Sequence, residues 1–250
     1  MRGLTADERS HYDAHGFVRL PGFADAATCE AMLDDVVTVT RAQADGTPEP
    51  EALVLPEANL VGRDGSPEEL ASKVFKLHRR GGFEEFARRD DVLDRVTELV
   101  GPRLDCFLSQ FIFKNPGAWG QPWHQDSWYF PFEPPRPITG VWLAVTQATL
   151  ENGCLHVLPG SHREPVHEHE PDRRPGANYG YVEIVDHDMT GSVPVLMDPG
   201  DLLLFDSHLM HRSTDNESDG VRAAMVYHYC ATGTVERTKG IVNDFVTVRP

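Results

Sequence analysis

The sequence predicts a mainly β protein with flanking helices, built on a double-sheet jelly roll of the cupin kind, also called a double-stranded β-helix. Short strand-like runs recur after residue 100, separated by clusters of Pro, Gly, Asn and Asp. Helical signals dominate before that point, and many short strands after a helical portion are typical of a jelly roll braced by helices. The length suits a single domain, 1–250, whose helical portion of about 1–100 packs on a core of about 101–250.

The first hundred residues contain most of the helical signals. Thr5 and Glu8 form a capping-box pattern, which predicts a helix over residues 6–15. Asp25 can cap a second helix, which carries one apolar stripe. Residues 46–67 are rich in Gly, Pro and acidic residues without a period, so we predict a long surface loop there. The other predicted elements are strands over residues 17–20 and 73–78 and helices over residues 83–87 and 91–100.

The rest of the chain has the texture of a β protein. Asn152 and Gly153 give its strongest hairpin signal, because both tolerate the positive φ of a tight turn. No internal repeat or linker separates a further domain. The predicted strands cover residues 104–114, 138–146, 154–158, 193–197, 202–205 and 222–230.

Composition excludes several classes of partner. The chain has 39 acidic and 23 basic residues, for a formal net charge of -16, which repels phosphate backbones and anionic membrane surfaces. We therefore expect no nucleic-acid and no membrane partner. The four cysteines lack a Cys-X-X-Cys pair and are predicted to be reduced, mostly buried thiols. No apolar run is long enough for a membrane span and the N-terminus does not resemble a signal peptide, so we expect a cytoplasmic protein.

The segment His124-Gln125-Asp126 is the centre of the functional interpretation. Side chains two residues apart on a strand project to the same face. Two histidines and one carboxylate form the facial triad of non-haem iron sites, which leaves positions open for a co-substrate and oxygen. The motif occurs by chance in many chains, so a surface pair is the simpler interpretation of these residues alone.

The third ligand has several candidates in the C-terminal third. His208 and His211 follow the strand predicted over residues 202–205, and a strand end can aim a side chain into the mouth of a barrel. Arg222 opens the next strand, which could place it beside His211 across a hairpin. A guanidinium there would suit a dicarboxylate co-substrate. The histidines of the charged, Pro-bounded stretch before them are predicted to be solvated: His162, His167 and His169.

Short motifs follow one another in a recognisable order over nearly the whole chain. They are Asp13-Ala14-His15-Gly16-Phe17-Val18, His124-Gln125-Asp126, Gly140-Val141-Trp142, Glu151-Asn152-Gly153-Cys154-Leu155, Leu158-Pro159-Gly160-Ser161-His162, Pro199-Gly200-Asp201 and His211-Arg212-Ser213-(X)2-Asn216-(X)5-Arg222. In this order they resemble the phytanoyl-CoA dioxygenase family. The combination is specific, whereas each motif alone is not.

The resemblance implies an iron enzyme that uses 2-oxoglutarate. Its Fe(II) ligands would be His124, Asp126 and His211, and 2-oxoglutarate would chelate the same iron. Arg222 and Ser213 would hold the distal carboxylate of this co-substrate. Gln110 stands where some relatives carry Met, and packing in the core is the alternative role for Trp142. Lys114 lies near the end of the predicted strand that carries Gln110, and we expect it to be solvated. The further co-substrate contacts that the resemblance implies are Lys73, Gln110 and Trp142.

The resemblance also implies the reaction: 2-oxoglutarate, O2 and a small organic substrate give succinate, CO2 and a hydroxylated product. Related halogenases replace the carboxylate ligand by a small residue, so Asp126 favours hydroxylation. Aromatic residues that could form the substrate wall, or simply pack the loops, are Trp128, Phe130 and Tyr179. The acidic chain argues against an acyl-CoA, and a neutral or cationic small molecule is the expected substrate.

Two other classes of function are weighed against this interpretation. The first is a metal-dependent cupin dioxygenase that does not use 2-oxoglutarate. Arg222 speaks against it, because such an enzyme has no dicarboxylate to bind. The second is a non-catalytic jelly-roll protein that only binds a small molecule. The presence of all three metal ligands of the family pattern speaks against that alternative.

Overall fold

The computed structural model describes residues 3–47, 52–133, 137–174, 177, 180–236 and 242–250. Its helices are α1 (Ala6–His15), α2 (Ala26–Ala44), α3 (Gly81–Ala87), α4 (Asp90–Val100) and α5 (Asp126–Tyr129), with single 3-10 turns at Ala58–Leu60 and Ser161–Arg163. Its strands are β1 (Phe17–Leu20), β2 (Leu53–Pro56), β3 (Ala71–Phe75), β4 (Leu104–Lys114), β5 (Phe132–Glu133), β6 (Ile138–Ala144), β7 (Leu155–Val157), β8 (Glu170–Pro171), β9 (Val182–Glu183), β10 (Val193–Val195), β11 (Leu202–Asp206), β12 (His211–Ser213), β13 (Arg222–Ala231), β14 (Val235–Glu236) and β15 (Val246–Arg249).

The first two helices begin where their caps predict. The Thr5 side chain accepts a hydrogen bond from the Glu8 backbone, and the Glu8 carboxylate accepts one from the Thr5 backbone. Asp25 caps α2 through the backbone N–H of Thr28 at 2.8 Å. Helix α1 ends at Gly16, whose φ of 84° is the left-handed conformation that favours glycine.

Two antiparallel sheets form the jelly roll that the sequence predicted. The large sheet has the strand order β1-β11-β6-β13-β4-β3-β2, with β15 also paired to β4, and the small sheet has the order β10-β7-β12. Two short pairs, β14-β5 and β8-β9, complete the described strands. The core is mainly β, with the long helices confined to the N-terminal part of the chain, as expected.

Strand β13 shows how the large sheet separates two cores. Its odd-numbered residues face the helices, where the Tyr227 hydroxyl donates to Phe83 O at 2.9 Å and the Tyr229 hydroxyl to Ala87 O at 3.0 Å. Its even-numbered residues face the space between the two sheets, because side chains alternate along a strand. Val226 packs there with residues of the small sheet.

The structure corrects two expectations about loops. The segment predicted as a long surface loop, 46–67, contains β2, which pairs with β3 at the edge of the large sheet. The turn at Asn152 and Gly153 is present, with Gly153 at φ 80°, but it does not connect a hairpin. Strand β6 before it lies in the large sheet and β7 after it in the small sheet, so this turn carries the chain between sheets.

Two further observations bear on the composition argument. All four cysteines are buried free thiols. Within the described part of the chain, none of the helices combines the length and apolar character needed to cross a bilayer.

Candidate metal centre and adjoining cavity

Two histidines from distant parts of the chain face each other across a single β-bridge. His124 and His211 exchange backbone hydrogen bonds with N–O distances of 2.9 and 3.0 Å. Opposed residues of an antiparallel pair point their side chains to the same side, and the two ring centroids are 4.1 Å apart. Because His211 begins β12, this bridge places both imidazoles at the edge of the small sheet.

The Nδ1 nitrogen of each of these two rings lies within hydrogen-bond distance of a backbone carbonyl. Nδ1 of His124 lies 2.8 Å from Pro122 O. Nδ1 of His211 lies 3.0 Å from Leu209 O. A carbonyl can only accept, so each neutral ring carries its proton on Nδ1 and keeps a lone pair on Nε2. Burial and the neighbouring His124 lower the pKa of His211 to about 4, which keeps this ring neutral at pH 7.

Asp126 adds the carboxylate to this pair. Its Oδ1 lies 3.5 Å from Nε2 of His124 and 3.8 Å from Nε2 of His211. The other oxygen, Oδ2, accepts a hydrogen bond of 2.7 Å from Nε2 of His228. Burial acts to raise the pKa of Asp126, but the surrounding imidazoles outweigh it and lower the pKa well below its ordinary value. An ionised carboxylate and two imidazole nitrogens therefore converge within 4.8 Å of one another.

The local backbone differs from the strand that the sequence pattern predicted. His124 lies in the single bridge, whereas Asp126 is the first residue of the short helix α5. The two side chains meet because the chain turns into a helix after Gln125, not because they alternate along one strand. Of the two candidates for the third position, the structure places His211 in this cluster. His208 is turned away, with its Nδ1 bonded to Glu164 O at 3.1 Å.

A cavity of about 520 Å³ adjoins the cluster, and Arg222 lies on its wall. This guanidinium is 2% exposed and its Nη2 donates to Gly153 O at 3.2 Å. Nε and Nη1 have no hydrogen-bond partner among the described residues. Burial lowers the pKa of Arg222 to about 10, so the group is still charged at neutral pH. Unpaired buried donors on a cation are unfavourable, and a carboxylate in this position would satisfy them.

The family of the chain follows from comparison with known proteins. The family model for phytanoyl-CoA dioxygenase (PhyH) matches residues 12–224. The chain belongs to the phytanoyl-CoA dioxygenase family. The peroxisomal phytanoyl-CoA dioxygenase of Bos taurus is 28% identical over 234 residues, which cover 90% of this chain and 68% of that protein. A probable phytanoyl-CoA dioxygenase of Caenorhabditis elegans is 36% identical over 154 residues, covering 58% of this chain and 49% of that protein.

Solved structures confirm the jelly-roll fold. The apo form of ThoJ, described as a non-heme monooxygenase, has a TM-score of 0.73 at 23% identity and covers 96% of this chain and 83% of its own. The epimerase SnoN, in complex with Fe3+, alpha ketoglutarate and nogalamycin RO, has a TM-score of 0.69 at 19% identity, covering 94% and 86%. EvdO2 from Micromonospora carbonacea var. aurantiaca, complexed with 2-oxoglutarate, has a TM-score of 0.63 at 24% identity, covering 95% of each chain.

The other co-substrate contacts that the PhyH resemblance implied lie on the wall of the same cavity. Trp142 is buried, its Nε1 has no hydrogen-bond partner among the described residues, and its ring centroid lies 5.6 Å from the Arg222 guanidinium carbon. Ser213 accepts a 3.0 Å hydrogen bond from the backbone of Gln121. The Gln121 amide oxygen in turn accepts one of 3.2 Å from Nζ of Lys73. Gln110 lies on β4 and also lines the cavity.

The aromatic residues predicted as a substrate wall are placed differently from one another. Phe130 lines the cavity and is 8% exposed. Trp128 is 40% exposed and is not among the residues that line the cavity. Its ring packs against that of Tyr129, with the centroids 5.2 Å apart. Tyr129 lines the cavity in its place. Tyr179 lies outside the described residues, and its neighbour Tyr181 lines the cavity.

Sequence reasoning missed three polar residues in this region. Lys114 was expected to be solvated but is buried, with Nζ donating to Trp119 O and Thr214 O at 2.9 Å each. Burial and the nearby Arg222 lower the pKa of Lys114 well below its usual value. His169, also predicted to be solvated, is 8% exposed. His228 was not selected, although strand alternation places it on the same face of β13 as Arg222, which is a signal that the sequence contains.

Proposed function

We propose that the protein is an Fe(II)- and 2-oxoglutarate-dependent dioxygenase that hydroxylates a small organic molecule. In this reaction 2-oxoglutarate, O2 and the substrate give succinate, CO2 and the hydroxylated product. One observation carries the proposal. His124, Asp126 and His211 lie at the wall of a cavity that also contains a buried guanidinium with unpaired donors. A metal site beside a carboxylate-binding cation is what this co-substrate requires.

The donor set fits Fe(II). Two neutral imidazoles and one ionised carboxylate are the ligand types of the facial triad, and Asp126 is positioned by a further hydrogen bond from His228. When bound, the iron supplies the activation of dioxygen. The residues of the chain hold the ligand atoms in place, and the buried walls exclude water from the site.

The donors that lack partners fit the distal carboxylate of 2-oxoglutarate. We assign this group to Nε and Nη1 of Arg222, and Nε1 of Trp142, whose ring centroid lies 5.6 Å from the guanidinium carbon, is a further unpaired donor among the described residues on the same cavity wall. Ser213 can contribute its hydroxyl proton, because its oxygen already accepts from the Gln121 backbone. Lys73 and Gln110 complete the polar wall in this assignment.

The remainder of the cavity supports a compact and mainly apolar substrate. The apolar part of the lining includes Leu55, Phe75, Leu108 and Phe130. A volume of about 520 Å³ has to contain both the co-substrate and the reacting part of the substrate. The chain's charge of -16 opposes a polyanionic acyl-CoA, so we propose a neutral or cationic molecule.

We also propose that residues 1–250 act as one oxygenase domain. The helices of the N-terminal part pack directly on the sheet that carries Arg222. Val36 of α2, Phe86 of α3 and Val96 of α4 share a buried cluster with Met225 of β13. The helical portion therefore supports the sheet from behind, and removing it would expose that cluster.

Anaerobic titration with Fe(II) and 2-oxoglutarate tests the proposed function. We expect the weak visible charge-transfer band of the iron chelate to appear only when both are present, and to be absent in the Asp126→Ala variant. Iron binding without the band and without any effect of 2-oxoglutarate would instead favour the cupin dioxygenase alternative. No iron binding at all would favour a protein that only binds a small molecule.

A further inference from the structure

A second group of two histidines and one carboxylate lies outside the cavity lining. Its members are Glu164, His167 and His187. Oε2 of Glu164 lies 2.9 Å from Nε2 of His167 and 3.0 Å from Nε2 of His187. The two imidazole rings are nearly perpendicular, at 82°, with centroids 5.0 Å apart. Two ring nitrogens from separate segments therefore point at the same carboxylate oxygen.

The backbone around this group is held in place before any ligand arrives. The N–H of His167 donates to Oε1 of Gln125 at 2.8 Å. Nε2 of the same amide donates to Pro165 O at 3.1 Å. On the other segment, the N–H of Ile184 donates to Trp123 O at 2.8 Å. A site whose ligands are already positioned loses less conformational entropy when it binds an ion.

The surroundings also suit an ion. The side chains of His167 and His187 are 26% and 18% exposed, so an ion can enter from solvent and keep a bound water. Nδ1 of His187 is buried without a partner among the described residues, whereas Nε2 of the same ring lies 3.0 Å from Oε2 of Glu164. Nε2 is therefore the nitrogen of this ring that can bind the ion.

We propose that Glu164, His167 and His187 bind a divalent zinc-type cation that fixes the base of the β8–β9 hairpin. Two imidazoles, one carboxylate and a water are a ligand set that Zn²⁺ binds in tetrahedral geometry. With metal–ligand bonds of about 2.0–2.1 Å, neighbouring ligand atoms lie about 3.3 Å apart. The nitrogen–oxygen distances of 2.9 and 3.0 Å need to widen only slightly to reach this spacing.

The place of the cation in the fold gives it a structural role. His167 precedes β8 and His187 follows β9, so the ion would join the two ends of this hairpin. Tyr181 directly precedes β9 within this hairpin and lines the cavity. Its ring centroid lies 4.7 Å from Nζ of Lys73. The cation therefore fixes one wall of the cavity without entering it.

Counting bound zinc tests the proposal on the chain of 250 residues. The probe is Zn²⁺ alone, added to metal-free protein and measured by atomic emission after gel filtration. In an Asp126→Ala/His211→Ala background, which removes the first cluster, we expect one equivalent to remain bound. Adding Glu164→Gln should abolish that equivalent, while Glu168→Gln, which removes the same charge from an exposed residue of the same loop, should retain it.

A second readout separates loss of the site from loss of the fold. Zinc should raise the melting temperature of the background variant and of its Glu168→Gln derivative, but not that of the Glu164→Gln derivative. Co²⁺ should give the strong visible bands of a tetrahedral complex under the same dependence on Glu164. The proposal is wrong if the background variant binds no zinc, or if Glu164→Gln leaves the stoichiometry and the Co²⁺ spectrum unchanged in a chain with native circular dichroism.

Discussion

Two clusters of the same ligand types are linked by Gln125, whose side chain accepts from the backbone of His167, and their surroundings differ. His124, Asp126 and His211 are all buried and adjoin the large cavity, whereas Glu164, His167 and His187 are half-buried and lie outside its lining. Only the first cluster shares a cavity with Arg222, a buried cation that has unpaired donors among the described residues. Ligand identity predicts that a metal can bind, and the neighbouring residues determine what it can do there.

The largest expected effect separates the two clusters by activity. Asp126→Ala should abolish turnover and the charge-transfer band of the iron chelate, because it removes the one anionic ligand of the first cluster. His187→Ala should lower turnover at most a few-fold, since its side chain does not reach the cavity lining. Succinate formation measured on both variants makes the comparison. If turnover survives Asp126→Ala and disappears in His187→Ala, the second cluster is the catalytic one and the first is not.

The next effect concerns the cation beside the first cluster. Arg222→Ala should strongly raise the 2-oxoglutarate concentration needed for turnover, because loss of a buried charge-assisted pair costs about 2–5 kcal/mol. Iron affinity should change little, since Arg222 is not among the clustered ligands. Arg88→Ala, a change of the same type on the half-exposed end of α3, is the control. A wild-type dependence on 2-oxoglutarate in Arg222→Ala would contradict the assignment of its distal carboxylate to Arg222.

The sequence predicted the fold where a local physical signal was strong. The capping box at Thr5 predicted the start of α1, and strand-like runs bounded by Pro, Gly, Asn and Asp predicted β4, β6, β11 and β13. The two-residue strands β5, β8, β9 and β14 were not predicted, because so few residues show no period. Strand β2 was missed for another reason: its residues pair with β3 at a sheet edge inside a segment whose Gly, Pro and acidic content resembles a loop.

The sequence indicated the positions of some site residues and misplaced others. The structure brings His124, Asp126 and His211 together, with Asp126 at the start of a helix, and their role as iron ligands stays a prediction. Lys114 was misjudged because a charged residue near a strand end is usually solvated, and only the tertiary fold brings the carbonyls of Trp119 and Thr214 to its ammonium group. Local sequence cannot show contacts between segments a hundred residues apart.

Gln125 provides a smaller test, because it connects the two clusters. Its side chain is fully buried and bonds the backbone at Pro165, His167 and His208. Gln125→Met keeps the shape but leaves these groups unpaired, so we expect a loss of about 1–3 kcal/mol in the free energy of unfolding.

Urea unfolding measures this loss, and Gln147→Met, at an exposed position, is the matched control. Iron and zinc affinity should both fall in Gln125→Met if the amide positions both clusters. If one metal site weakens and the other keeps its full affinity, the two clusters are independent and the connection through Gln125 is only structural.

The smallest expected effect concerns the apolar wall of the cavity. Phe130 lines it and packs edge-on against His228, with centroids 5.2 Å apart, whereas Trp128 is 40% exposed and lies outside the lining. Phe130→Leu should weaken substrate stimulation roughly tenfold, because the lost apolar contact corresponds to about 1.4 kcal/mol. Slow conversion of 2-oxoglutarate to succinate without substrate should continue, since no metal ligand changes.

The assay compares neutral and cationic small molecules and uses the one that most stimulates this conversion. Trp128→Ala is the control and should keep most of the stimulation. If Phe130→Leu instead loses both activities together with iron, its ring belongs to the support of Asp126 through His228, and the substrate lies elsewhere in the cavity.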